Sequence, residues 1–234
     1  MMPTDGTIFT NKTKQDLNVS GSGSPYTWKG GTFKSVGKWS VDYLDENGDN
    51  QVSTKGLPIT ASCTTLPAGW YFVEYNTNLN HQLTFTGDAK LILGDKAKLR
   101  ITDATNTALT VSGNLTIYSQ SLGDDMGSLT AESASSTGTN SDIFTVCGGQ
   151  ISTKGNYGTT YYSATINNGK LTVEGNQYGM QGSLTMNGGK LVAKGTTING
   201  ISGTYLTING GQVDAPQCHD PEAISFRLEF AEAI

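Results

Sequence analysis

Phe144-Thr-Val-Cys-Gly-Gly-Gln-Ile151, Ala164-Thr-Ile-Asn-Asn-Gly-Lys-Leu171, Leu184-Thr-Met-Asn-Gly-Gly-Lys-Leu191 and Leu206-Thr-Ile-Asn-Gly-Gly-Gln-Val213 can be written beneath one another, with first residues 20, 20 and 22 positions apart. A near-constant period of that size, with β-type segments inside each repeat, is the signature of a solenoid whose coils stack. Leu184, Met186, Leu191 and Ala193 are apolar at alternating positions, while Thr185, Lys190 and Lys194 are polar. That alternation puts one set inside and the other in solvent. The repeat therefore reads as two strands joined by a sharp bend at Asn-Gly-Gly. Stacked at about 4.8 Å per rung, like residues sit above like, so Asn167, Asn187 and Asn209 are expected to form a ladder of side-chain amides.

Composition agrees with a thin-cored solenoid. The 234 residues include 30 Gly and 6 Pro, and only 35% are hydrophobic. Each coil of such a fold contributes few inward side chains, and its turns are rich in Gly and Asn. The formal net charge is −5, and basic residues nowhere cluster beyond a pair, so the electrostatic footprint of a nucleic-acid binder is absent. No apolar run reaches the length of a membrane span, and membrane insertion is not expected. The first residues lack a charged segment followed by an apolar one, so no signal peptide is visible; a chain trimmed behind such a leader would read the same. Cys63, Cys147 and Cys218 are three and far apart, which fits neither a zinc site nor a disulfide framework. Cys147 occupies the Asn column and reads as a small buried turn residue.

Working outward, residues 1–56 read as an N-terminal β cap or small β segment, with Gly21-Ser22-Gly23-Ser24 as a flexible joint. Asn47-Gly48 is a hairpin signal, since both residues tolerate φ > 0. Asp45, Asn47 and Asp49 imitate the start of a calcium loop, but Asn50 stands where the loop needs Gly and Gly56 where it needs Glu, so a solvated turn is the reading. Residues 57–215 form the coiled region. Leu83 to Leu109 spans 26 residues, so early coils carry longer turns, and Leu109-Thr-Val-Ser-Gly-Asn-Leu-Thr-Ile117 reads as a contracted repeat. The largest interruption lies between Tyr118 and Ser141, and such insertions often emerge on a binding face. Residues 216–234 read as a capping segment whose pattern leaves helix and strand both open; it would cover the open edge of the last coil.

Leu66-Pro-Ala-Gly-Trp-Tyr-Phe-Val73, Leu83-Thr-Phe-Thr-Gly-Asp-Ala-Lys-Leu-Ile-Leu-Gly-Asp95, Leu115-Thr-Ile-Tyr-Ser-Gln120 and Gly127-Ser-Leu-Thr-Ala131 resemble β-helical repeat surface proteins of gut anaerobes of the Bacteroides and clostridial type. The resemblance covers about residues 57 to 215. It implies an all-β, single-stranded, right-handed parallel β-helix of the pectate-lyase kind, a place on the cell surface or outside the cell, and carbohydrate binding. Because its motifs describe coils, it bears on fold more than on activity.

For a polysaccharide lyase the available pieces are Asp88, Asp95, Arg100, Asp103, Asp124 and Asp125, none of them in a recognisable catalytic motif. His81 and His219 have no partner by spacing, so nucleophilic triads lack support. The expectation is therefore a binding module without catalytic residues, with a structural spacer or adhesin segment as the alternative. Carbohydrate binding needs exposed aromatic faces beside polar groups. Tyr157 and Tyr178 follow equivalent glycines and are expected to share a loop column, with Tyr161, Tyr162, Asn156, Asn176 and Gln177 near them and Tyr205 in a similar turn. Asp124 and Asp125 are the candidate Ca²⁺ ligands.

Overall fold

The computed structural model describes residues 39–215, together with the short strands Ile8–Asn11, Leu17–Val19, Tyr26–Trp28, Gly31–Lys34 and Arg227–Glu229. The Gly21 to Ser24 joint, Cys218, His219 and most of the C-terminal tail lie outside the described residues. The chain is a parallel β-solenoid of about seven turns, and each coil contributes three strands rather than two. Sheet 1 stacks Gly69–Val73, Ala89–Leu93, Leu115–Ser119, Ile143–Val146, residues 163–166 and 183–186, and Tyr205–Ile208. Sheet 2 stacks Thr77–Leu79, Lys98–Asp103, Ser128–Ser133, residues 150–155 and 170–175, Lys190–Gly195 and Gln212–Asp214. Sheet 3 stacks Thr65–Leu66, Leu83–Phe85, Leu109–Val111, Thr137–Asn140, residues 157–160 and 178–181, and Asn199–Ser202.

The core runs as a column between the three sheets. Leu83, Phe85, Leu109, Leu115, Phe144, Leu171 and Leu191 are completely buried in it. Burying one such side chain is worth roughly 1.5–3 kcal/mol, so the coils are held by many equal increments rather than one nucleus. The bend from sheet 1 to sheet 2 is the Asn-Gly-Gly segment. Its second glycine takes a positive φ at Gly149, Gly169, Gly189 and Gly211, which a side chain would strain. The first glycine has a different reason: a Cβ on Gly210 would stand 2.6 Å from the Asn187 carbonyl of the coil below.

The amide ladder forms as expected. Asn209 Nδ2 donates to Asn187 Oδ1 at 2.8 Å and Asn187 Nδ2 to Asn167 Oδ1 at 2.8 Å, while Asn167 Nδ2 points at Cys147 Sγ, 3.8 Å away. Followed toward the N-terminus, the same column continues as Cys147, Tyr118, Ile92 and Phe72. These four are buried although they point away from the solenoid core, because they pack with Val41 and Tyr43. Trp39–Leu44 and Asn50–Pro58 pair antiparallel as a hairpin laid against the outside of sheet 1. Trp70 stacks on Tyr118 at 5.5 Å, Tyr43 meets Tyr118 edge-on at 4.7 Å, and Lys90 Nζ sits 4.8 Å from the Trp70 ring centre. The column is thus apolar beneath the hairpin and becomes a solvated amide ladder where the hairpin ends.

Two further sequence expectations change, and one alternative left open is resolved. Leu109–Val111 belongs to sheet 3, and the counterpart of Phe144–Val146 is Leu115–Ile117; a Leu-Thr-Val string occurs on both sheets and misled the alignment. The interruption after Tyr118 is mostly a regular coil, since Ser128–Ser133 and Thr137–Asn140 take their places in sheets 2 and 3, leaving an excursion only over residues 120–127. In the tail, Arg227–Glu229 is a strand paired in parallel with residues 205–207. The Asp45 turn is closed by hydrogen bonds from Asn47 N, Asp49 N and Gln51 Nε2 to its carboxylate, so the loop that imitates a calcium site presents donors to that oxygen pair. These bonds, led by the one from Asp49, hold the Asp45 carboxyl below its ordinary range.

Candidate functional site

The bend from sheet 2 to sheet 3 is where the sequence places aromatics and where the surface is concave. In the second and third coils this bend is long, running from Asp103 to Ala108 and from Ser133 to Ser136, whereas in the next coils Gly155 leads almost directly into Tyr157. The change leaves an open groove of about 560 Å³ along the solenoid edge, with Asn80, Thr102, Glu132, Lys154 and Asn176 contributed by successive coils. Gly155 also lines it, and its lack of a side chain is required, because a Cβ there would stand 2.7 Å from the Tyr157 carbonyl.

Tyr157 and Tyr178 are register partners on sheet 3, not residues of a loop. Their rings stack at 5.9 Å with 18° between planes, and both are half-buried. The coil of Gly175 carries one extra residue between its glycine and its tyrosine, and that irregularity brings Gln177 beside the Tyr157 ring. Tyr157 OH donates to Gln177 Oε1 at 3.0 Å. The bond fixes the Tyr157 ring and uses the Gln177 amide oxygen, leaving its N–H₂ without a side-chain partner among the described residues. Asn156 is half-exposed and Asn176 exposed. Five of the predicted residues therefore converge: two stacked rings with three carboxamides around them, beside a polar groove.

The others lie elsewhere. Tyr161 is turned into the solenoid, only 8% exposed, with its ring 6.4 Å from that of Phe144 and its hydroxyl unpaired; burial pushes the phenol well above its ordinary range. A surface ligand does not reach it. Tyr162 points outward at the opposite bend, from sheet 3 to sheet 1, and is 82% exposed. Asp124 and Asp125 sit on the excursion at the bend from sheet 1 to sheet 2, both exposed, with Asp125 Oδ1 3.1 Å from Lys96 Nζ. Among the described residues no three His, Cys, Asp or Glu side chains are grouped closely enough to hold a metal ion.

The residues considered for lyase chemistry serve the coil turns. Asp88 Oδ1 accepts from Asn114 N, Asp95 Oδ1 from Ser121 Oγ, and Asp103 from the backbone N–H groups of Asn106, Thr105 and Gln82. Those bonds, led by that from Asn106, hold the Asp103 carboxyl below its ordinary range. Arg100 is paired with Glu132 at 2.6 Å and Lys154 with Glu174 at 3.3 Å. Along sheet 2, Glu132, Lys154, Glu174 and Lys194 occupy one outward column, so each rung faces an opposite charge, as in-register stacking demands.

The groove residues Asn80, Thr102 and Glu132 escaped sequence reading because they come from coils of unequal length. The Glu-Lys-Glu-Lys alternation at near-constant spacing was a usable signal for that edge. Comparison with protein-family models, with curated proteins and with solved structures finds no match to this chain.

Proposed function

We propose that this chain is a non-catalytic β-solenoid module of a cell-surface or secreted protein, and that it binds carbohydrate at the edge between sheets 2 and 3. The observation that carries the proposal is the stacked Tyr157 and Tyr178 pair, 5.9 Å apart, held by Gln177 at the end of a groove lined by side chains of mixed polarity. A sugar ring offers an apolar face of C–H bonds and a rim of hydroxyls. Aromatic rings meet the first and carboxamides the second, since each amide both donates and accepts. Of the charged groups at the groove, Glu132 and Lys154 are ion-paired in the fold and Asp103 accepts backbone hydrogen bonds from Gln82, Thr105 and Asn106, so the edge favours hydroxyl-rich ligands over highly charged ones.

A second reading, a spacer within a larger surface protein, draws on the Asn and Glu-Lys columns, whose exposed polar groups are occupied in stacking the coils. A glycan array decides between the two. Binding by the wild-type chain that falls at least tenfold in the Tyr157→Ala/Tyr178→Ala double variant supports the edge site. No binding to any glycan, or a variant whose binding is undiminished for every glycan the wild-type chain binds, defeats it.

A further inference from the structure

The aromatic side chains most open to solvent on this solenoid are not the Tyr157 and Tyr178 pair. Among the described residues Tyr162 is 82%, Tyr75 70% and Tyr205 54% exposed; Tyr75 stands alone at the first bend from sheet 1 to sheet 2, whereas Tyr162 and Tyr205 both flank the bend from sheet 3 to sheet 1, on the other edge of sheet 3. Their placement follows from irregularities in the coil. Between the paired positions Thr160 with Gln181 and Ser163 with Ser183, one coil has two residues, Tyr161 and Tyr162, where the next has only Gly182. A bulge of this kind re-aims a side chain. Here it sends Tyr161 into the core and Tyr162 into solvent. Gly182 must remain bare, because an added Cβ would stand 2.7 Å from the Tyr161 ring beneath it and its φ is +139°. One rung further, Leu184 is paired with Leu206, so that register carried back one residue sets Tyr205 over Ser183.

The result is two outward rings separated by two rungs, with Gly182, Ser163 and Ser183 as the floor between them. Two rungs of about 4.8 Å and one residue of lateral offset, about 3.4 Å, put their backbones roughly 10 Å apart along the solenoid axis. One pyranose unit of an extended chain is close to one rung in length, so rings that meet Tyr162 and Tyr205 belong to alternate sugars, with the intervening sugar over the glycine and serines. The floor itself carries no charge; the ionisable residues in register with the two rings are Asp142, one rung before Tyr162, and Arg227, one rung after Tyr205, opposite in sign and at opposite ends, so neither sign of ligand charge is favoured along the floor. A protein partner would need a contiguous apolar centre, whereas here the two rings are separated by glycine and serine.

We infer that Tyr162 and Tyr205 form a second carbohydrate site, which takes a neutral, extended, β-linked hexose chain lying along the solenoid axis. The inference rests on the reading of the chain as a glycan-binding module but uses none of the residues of the first edge. Calorimetric titration with cellopentaose tests it, with amylose and polygalacturonate as coiled and charged comparators. The wild-type chain should bind cellopentaose in preference to both. Tyr162→Ala and Tyr205→Ala should each weaken that binding by roughly tenfold, the scale of one aromatic stacking contact, and Tyr162→Phe should keep it. The Tyr157→Ala/Tyr178→Ala variant should leave cellopentaose binding unchanged. Binding that survives Tyr162→Ala/Tyr205→Ala but disappears with Tyr157→Ala/Tyr178→Ala would overturn this second site and leave the first edge standing. Wild-type silence toward cellopentaose overturns this site, and silence across a full glycan array would overturn both.

Discussion

Replacing Asn187 with alanine tests the stacking that positions both edges. Asn187 is the middle rung of the amide ladder: it donates to Asn167 and accepts from Asn209, each at 2.8 Å. Asn187→Ala therefore removes two side-chain hydrogen bonds, while Asn209→Ala removes one. A neutral hydrogen bond contributes about 0.5–1.5 kcal/mol net, and exposed amides fall at the lower end because water replaces the lost partner. The expected costs are then about 1–2 kcal/mol for Asn187→Ala and about 0.5–1 kcal/mol for Asn209→Ala. For a chain of this size 1 kcal/mol shifts the melting temperature by roughly 2–4 °C. Urea unfolding followed by far-ultraviolet circular dichroism measures both, provided the denaturant slope stays at the wild-type value. In the double variant the shared bond is removed once, so the summed single costs should exceed the double cost by about 0.5 kcal/mol or more. Strict additivity, or an Asn209→Ala cost equal to that of Asn187→Ala, would refute the ladder.

Other consequences follow from the core, the hairpin and the turns. Phe144 is fully buried, and Phe144→Ala should cost about 3–5 kcal/mol in urea unfolding, with the loss concentrated in the transition midpoint. Cys147 lies beneath the hairpin at 1% exposure, and burial pushes its thiol up to about 11; in a Cys218→Ser background a thiol reagent at pH 8 should label Cys63 in the native protein and Cys147 only on unfolding. Asp103 has a depressed carboxyl pKa, so its contribution is present above the unfolded value of about 3.9 and fades as pH falls through the folded one. Asp103→Asn should therefore flatten the acid limb of the stability profile below about pH 4, and an unchanged acid limb would contradict the turn assignment.

How far the sequence carried depended on which residues repeat. The bend from sheet 1 to sheet 2 was legible because its chemistry is invariant: Asn167, Asn187 and Asn209 stack and the glycines that follow are fixed by backbone geometry. Sheet 3 was not, because its inward positions are not uniformly apolar. Thr159 stands in the column of Met180 and Ile201, and is tolerated inside by a 2.7 Å hydrogen bond to Thr153. That polar pair erased the alternation by which a third strand would have been recognised, and Tyr157 and Tyr178 were read as loop residues. The adjacent Tyr161 and Tyr162 are indistinguishable in sequence; only the bulge opposite Gly182 decides that one is core and the other surface. The apolar outward strip of Phe72, Ile92, Tyr118 and Cys147 had a sequence trace, a run of apolar residues in the column that later becomes Asn. Its meaning needed the hairpin that covers it.

Every assignment of surface residues rests on one register, in which Thr145, Thr165 and Thr185 occupy successive rungs of one outward column. Cysteine pairs in a chain with Cys63, Cys147 and Cys218 replaced by alanine measure it directly. Neighbouring rungs place Cα atoms about 4.8 Å apart, inside the range a disulfide spans, whereas two rungs, about 9.6 Å, lie beyond the roughly 7 Å limit. Under mild oxidation Thr165→Cys/Thr185→Cys should form an intramolecular disulfide and Thr145→Cys/Thr185→Cys should not. Cross-linking of the second pair, or failure of the first, would contradict the stacking on which the two proposed carbohydrate edges depend.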